Sequence, residues 1–229
     1  MNKEKPIIFS TEMVHKILSG EKNQTRRVVK IPSWTWDKFD DLKLGNGELI
    51  AHNRKKGYVD PINPPYAVGD VLWVRETFYE ECETRRNADG EPEHWRYGQY
   101  AYFADGVPQH SPSGNKWELR PAIHMPREAA RIFLQVKSIR PERLHSMTKE
   151  DAVKEGISPD GQIPEVCCPT CKGTQRTEGI CCPDCKSVAV CFSRLWDSLN
   201  ADRGYGWDKN PWVWVVEFER VELTEDGRE

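Results

Sequence analysis

The 229-residue chain has no apolar run near the roughly 20 residues a membrane helix needs, and its N-terminus, MNKEKPIIFSTEMVHK, lacks the apolar stretch and small-residue cleavage site of a secretory leader. No internal repeat is visible, and the clustered acidic residues that hold catalytic metal in nucleases are missing. A net charge of one strong sign is missing too: 33 Lys and Arg stand against 36 Asp and Glu, for a formal charge of -3. Apolar content is low, with a mean hydropathy of -0.73. That low value does not mean disorder, because nine Trp, seven Tyr and seven Phe supply large groups to bury. These features lead us to expect a soluble cytoplasmic protein with no membrane partner, built as a single domain over residues 1–229.

The small net charge averages over unequal parts. Residues 1–30 hold seven basic and three acidic residues, as do residues 116–143, so the rest of the chain is strongly acidic. Two basic stretches in an acidic body can form a face for phosphate or remain scattered solvated cations.

Cysteine is scarce except in one place: of eight, all but Cys82 fall between Cys167 and Cys191. A reducing compartment disfavours disulfides, and short spacings point to metal. Cys168-Pro-Thr-Cys171 and Cys182-Pro-Asp-Cys185 are two C-P-x-C turns with ten residues between them. In such a turn both thiolates can face one ion, and two turns supply the four sulfurs of a closed structural zinc site. The expectation is a cysteine-rich zinc-binding insertion at 158–190, with Zn2+ held by Cys168, Cys171, Cys182 and Cys185. Cys167 and Cys181 adjoin these ligands, and the sequence names no protein partner for the insertion.

Periodicity places the remaining elements. Pro6–Phe9 reads as a strand, and Met13, Val14, Ile17 and Leu18 line one face of a helix that Gly20 ends. Val71–Phe78, Ile132–Ile139 and Trp212–Phe218 read as strands. Thr148–Glu155 is a short helix with Asp151 three residues after its Thr cap and Gly156 beyond it. Phe192, Leu195, Trp196 and Leu199 form the stripe of another helix. Residues 31–69 read as loop with a short hairpin, and residues 80–98 as a charged protrusion. Five or six strands with three short helices imply an α+β fold, a β-barrel flanked by short helices.

Between the first helix and the next strand lies Gly20-x-Lys22-x-x-Thr25-x-Arg27, followed downstream by a G-D-x-L-x-V-R-E strand from Gly69 to Glu76. Together they resemble the signature of the ASCH domain, a member of the PUA-like superfamily. The Trp196-Asp197 helix and the Asn210-Pro-Trp-Val-Trp214 strand look like the longer ASCH proteins of phages and prophages. The resemblance implies a PUA-like barrel whose cleft binds a nucleoside or modified nucleobase, or RNA or another single-stranded nucleic acid. Some small members are amidohydrolases of N4-acetylcytidine, and the matching catalytic residues here are Lys22, Thr25 and Glu76. Gly20, Arg26, Arg27, Arg75, His124 and Arg127 are expected to bind substrate, with Trp34 and Trp36 as stacking residues.

The chemistry is coherent by itself. A Thr hydroxyl needs a base, Lys22 three residues earlier can supply one if its pKa is depressed, and a Glu can protonate the departing amine. Two functions stay open: an amidohydrolase of N4-acylated cytosine derivatives, and a non-catalytic RNA or modified-base binding module. Read without the resemblance, Lys22 is a solvated turn residue, Thr25 a strand residue, and Glu76 the ion-pair partner of Arg27.

Overall fold

The computed structural model describes residues 3–30, 41–45, 48–53, 58–86, 89, 91–158 and 188–222. The knuckle cysteines, nearly all of the expected insertion, and Trp34 and Trp36 lie outside these residues. The chain is α+β, dominated by strands, with three α-helices among the described residues. No helix there is long and apolar enough to cross a membrane. The chain divides into two compact units assembled from interleaved segments. The first comprises Met1–Gly20, Gly69–Gln135 and Glu219–Glu229, and the second Glu21–Val68 and Val136–Phe218.

In the first unit, β1 (Glu4–Ile8) runs parallel to β6 (Val71–Arg75), with Glu4 opposite Val71 and Ile8 opposite Arg75. β6 pairs on its other side with the start of β10 (Phe133–Arg143), antiparallel. Strict alternation along β6 buries Leu72 and Val74, the period of a strand with one face on a core. Asp70, just before β6, accepts from the Lys3 amide and pairs with Lys5 at 2.9 Å, which anchors the parallel pairing at its start. Helix α1 (Thr11–Leu18) buries Val14 and Ile17, and leaves Met13 and Leu18 at the edge of the stripe.

A three-stranded antiparallel sheet completes this unit, in the order β8 (Pro92–Tyr102), β7 (Phe78–Arg86), β9 (Lys116–Arg120). The charged stretch read as a protrusion is therefore a paired hairpin. Among its described residues, Glu80 lies near Arg96 and Arg120, and the Tyr97 hydroxyl donates to Glu83. Glu81 is fully buried and accepts from the Ser111 hydroxyl and from Ser113 and Asn115.

In the second unit, β2 (Gln24–Val28) pairs antiparallel with β11 (Trp212–Val221), with Thr25 opposite Val216 and Arg27 opposite Trp214. Helices α2 (Lys149–Lys154) and α3 (Val188–Asn200) close a core of Leu144, Ala152, Ile157, Val188, Cys191, Phe192, Trp196, Val213 and Val215. Helix α2 has the full capping box expected of it: Asp151 N–H donates to Thr148 Oγ1, and the Thr148 amide donates to the Asp151 carboxylate. β3 (Asp41–Gly45), β4 (Glu48–Asn53) and β5 (Tyr58–Pro61) form an antiparallel sheet: the short hairpin expected within 31–69 is the β3–β4 pair, and β5 adds a third strand. The alternation that makes β4 a strand is short, Leu49 and Ala51 with zero exposure, and turn residues on both sides mask it.

Candidate functional site

The signature turn starts at the end of α1. Ser19 is the C-cap, and Gly20 follows in the left-handed region at φ +79°, donating to the Ile17 carbonyl at 3.1 Å. A Cβ at Gly20 would meet nothing within 4 Å, so backbone conformation is what asks for glycine here. The chain then enters the second unit, where Lys22 forms an isolated antiparallel bridge with Glu155 and β2 begins at Gln24.

This turn is lined with buried polar groups: Lys22, Gln24, Thr25, Arg26 and Glu155 are each at most 6% exposed. Lys22 is thus far from a solvated turn residue. Its Nζ donates to the Gln24 carbonyl at 2.7 Å, the Glu155 carbonyl at 2.8 Å and Glu155 Oε2 at 3.2 Å, so all three ammonium protons have acceptors. Arg26 donates to Glu155 Oε1 at 3.0 Å, Asp151 Oδ2 at 3.1 Å and Glu142 Oε2 at 3.4 Å. One carboxylate, Glu155, therefore joins the two cations.

The network continues outward. Arg140 donates to Glu142 at 2.6 Å and Glu217 at 2.8 Å, and Glu217 also accepts from the Ser138 hydroxyl at 2.9 Å. With its amide oriented to satisfy both neighbours, Gln24 donates to Glu217 at 3.2 Å and accepts from Arg26 at 2.8 Å. Four carboxylates, Glu142, Asp151, Glu155 and Glu217, are matched by Lys22, Arg26, Arg140 and, 3.9 Å from Glu217, Lys154.

Burial pushes the Lys22 amine below its ordinary pKa. The Glu155 carboxylate opposes that shift, and the charges of Arg27 and Arg26 add to it. Burial also acts against the charge of Arg27, countered by Tyr66 and Glu155. For Asp151, burial raises the carboxyl, but the Thr148 amide, Arg26 and Gln24 together hold it below the usual range. Thr25, two residues from Asn23 and one from Gln24, is 5% exposed on β2.

The other expected residues belong to the first unit. Glu76 is fully buried, and its partner is Arg131, not Arg27: Nε donates to Oε1 at 2.9 Å and NH2 to Oε2 at 3.1 Å. Arg131 also donates to Asp105 and lies 3.9 Å from the centre of the Tyr102 ring. Arg75 donates to the Ile123 carbonyl and lies over Trp73. Arg127 makes a forked pair with Glu4 at 2.6 and 2.8 Å and covers Phe133. His124 lines a cleft of ≈ 510 Å³ together with Phe78, Glu80, Arg96, Tyr100, Arg120 and Glu128.

Of the expected residues, Lys22 and Arg26 therefore meet through a shared partner, while Glu76, Arg75, His124 and Arg127 each have their own surroundings in the first unit. Glu155, which holds Lys22, was not singled out from sequence, and Arg131, which holds Glu76, was read only as one of the arginines of the second basic stretch, able to hold phosphate. Glu155 had one visible signal, a carboxylate at the end of a capped helix just before Gly156 (φ +92°), where it reads as helix punctuation.

No protein-family model and no curated protein matches the chain. The solved structure of an ASCH domain from Lactobacillus crispatus JV V101 is similar at 11% identity, over 95% of this chain and 79% of that one, with a TM-score of 0.33. A likeness at that score carries no argument about chemistry. Among the described residues, no group of three or more His, Cys, Asp and Glu is placed to hold a metal ion.

Proposed function

We propose that this chain is an ASCH-type domain with PUA-like barrel architecture, of the kind found in longer phage members, and that it hydrolyses the acyl amide of N4-acylated cytosine derivatives. The observation that carries this reading is the state of Lys22: a buried amine beside two arginines, with its pKa lowered, three residues before a buried threonine. An amine in that setting can lose its proton at lower cost than a solvated lysine and so serve as a base. For this step the Lys22 ammonium first gives a proton to solvent; Thr25 Oγ then adds to the acyl carbonyl as its proton passes to the freed amine. The C–N4 bond then breaks, the proton returns to the departing amine, and water hydrolyses the Thr25 ester to release the carboxylic acid. The resemblance gives the protonation of the amine to Glu76, whereas Lys22 can return the proton it took.

The test is turnover of N4-acetylcytidine. Wild type is expected to release acetate and cytidine, and Thr25→Ala to release neither while keeping its melting temperature. Turnover surviving in Thr25→Ala, or missing from wild type, overturns the reaction. Glu76→Gln assigns the proton donor: retained turnover gives the role to Lys22, and loss gives it to Glu76.

A binding module without turnover is the second reading, supported by the three acceptors that already fill the Lys22 ammonium. Binding of the base without hydrolysis would favour it, and a steep loss of affinity for RNA with added salt would identify a polynucleotide as its ligand.

We also propose that Cys168, Cys171, Cys182 and Cys185 hold one structural Zn2+. Support comes from the donor set: two C-P-x-C turns in a segment with too few apolar residues to build a core. Purified protein is expected to contain about one zinc per chain by elemental analysis, and Cys171→Ser to lower that content. Zinc-free protein with an unchanged melting temperature overturns the site.

A further inference from the structure

Helix α2 is short, yet both of its ends are fixed. The capping box closes its start. At its end the Gly156 amide donates to the Val153 carbonyl at 2.8 Å and the Ile157 amide to the Ala152 carbonyl at 3.1 Å. These are the two bonds of a Schellman ending, with Gly156 left-handed at φ +92° and Ile157 buried beyond it. Asp151 and Glu155 stand four positions apart and so share a face of this pinned helix. Gln24 and Arg26 share a face of β2 by the strand period. The two faces meet: Glu155 takes Lys22 and Arg26, and Asp151 takes Arg26. The backbone sets the register as well, through the Lys22–Glu155 bridge and the Asn23 amide donating to the Lys154 carbonyl at 3.0 Å.

Glu155 therefore grips Lys22 twice, by its carbonyl at 2.8 Å and by Oε2 at 3.2 Å, while the Gln24 carbonyl at 2.7 Å takes the third proton. A neutral amine has two N–H donors and a lone pair, so one of these contacts must give way when the ammonium loses a proton. The longest is the one to Oε2. Releasing it does not strand the carboxylate, because Arg26 still donates to Oε1 at 3.0 Å. Each of the four carboxylates in the network keeps an arginine: Glu142, Asp151 and Glu155 keep Arg26, and Glu217 keeps Arg140. The charge on Lys22 is thus one the network can lose without leaving an acidic group unpaired.

We propose that Glu155 is the positioning residue of Lys22 in the amidohydrolase reaction, holding Nζ at the signature turn and setting the pH above which the amine is free to take the Thr25 proton. The inference rests on the hydrolase reading and names the group that governs its base. Charge decides the direction. Among the described residues, the charged groups facing Lys22 are Glu155 from α2 and Arg26 and Arg27 from β2. Asp151, Glu142 and Glu217 join through Arg26 and Gln24, and Lys154 is turned to Glu217. The Glu155 carboxylate favours the ammonium, whereas burial and the two arginines disfavour it. Removing that carboxylate therefore frees the amine at lower pH, and loosens the hold on Nζ at the same time.

The test pairs the pH profile of N4-acetylcytidine turnover with an NMR titration of the Lys22 Cε resonance in isotope-labelled full chain, assigned by its loss in Lys22→Arg. Glu155→Gln keeps the length of the side chain and removes its charge. It is expected to move the midpoint of the rising limb of kcat and that of the Lys22 resonance to lower pH together, so that the fraction of plateau turnover reached near about pH 6 rises several-fold with KM unchanged. Glu155→Asp weakens the grip and should move both midpoints the same way by less, a reading that survives if the glutamine variant does not fold. Asp151→Asn removes the same charge from the same helix face, but from Arg26, and should move the Lys22 midpoint less than Glu155→Gln does. An unmoved midpoint in the Glu155 variants, a move to higher pH, or an equal move in Asp151→Asn overturns the proposal; lost turnover with an unmoved Lys22 resonance is what a merely structural residue gives. Wild type without turnover overturns the hydrolase reading and the reaction role with it, whereas a Lys22 resonance that still shifts in Glu155→Gln supports Glu155 as the group that sets this amine.

Discussion

Glu155→Ala is expected to destabilise the protein by about 3 kcal/mol, the lower end of what removing one partner of a buried ion pair costs. The lower end applies because the loss is unequal for its two cations. Arg26 would keep Asp151 at 3.1 Å and Glu142 at 3.4 Å. Lys22 would lose the carboxylate that faces its ammonium and keep the Gln24 and Glu155 carbonyls. The strain therefore falls on Lys22, and pH makes it visible. Burial already lowers its pKa and Glu155 is the main group raising it, so deleting the carboxylate lowers it further. Between the folded pKa and the unfolded lysine value near 10.4, the unfolded chain binds more protons than the native one. Stability of the variant should therefore rise with pH through that window relative to wild type. Adding Lys22→Met to Glu155→Ala is expected to recover part of the loss. Urea unfolding at several pH values measures all three effects. A pH-independent deficit, or one that the double variant deepens, would show that Lys22 is not the group left stranded.

That partnership also marks where sequence reading stopped. Helix α2 was legible in detail, because a capping box and a following glycine are local signals that act within one turn. The strands β1, β6, β10 and β11 were legible from apolar runs, with boundaries a few residues off. What Lys22 touches was not, since Glu155 is 133 positions away and meets it through the fold. The same holds for Glu76, whose charge is matched by Arg131, 55 positions on. An ion pair made at long range leaves no periodicity, so charge type alone offered Arg27 as an equally good partner. The hairpin β7–β8 was missed for a related reason. Its charged residues look solvated in sequence, yet Glu80 and Glu81 are buried because cross-strand and loop donors meet them. The cleft on that sheet was legible only in part, through the basic stretch that supplies Arg120 and His124.

Phe192→Ala is expected to cost about 3–5 kcal/mol, the range for truncating a buried aromatic ring. The sequence stripe of α3 gives Phe192 and Leu199 the same weight, but the fold does not. Phe192 is 3% exposed, with its ring centroid 6.2 Å from those of Trp196 and Trp207. Arg26 lies over the same ring at 5.9 Å, so the phenyl face also shelters the cation that the three carboxylates share. Alanine would open a cavity beside two indoles, of which Trp196 is held by Nε1 donating to the Tyr205 carbonyl at 2.7 Å and Trp207 packs on the His145 ring at 4.7 Å. Phe192→Leu keeps most of the volume and should cost about 1.5 kcal/mol or less. Leu199, at 57% exposure, lies past the buried part of the stripe, and Leu199→Ala should fall within about 0.5 kcal/mol of wild type. Chemical denaturation with unchanged m-values measures the three. Similar losses for Phe192→Ala and Leu199→Ala would mean that the helix buries the face its sequence period describes, and that the ring does not carry the packing assigned to it.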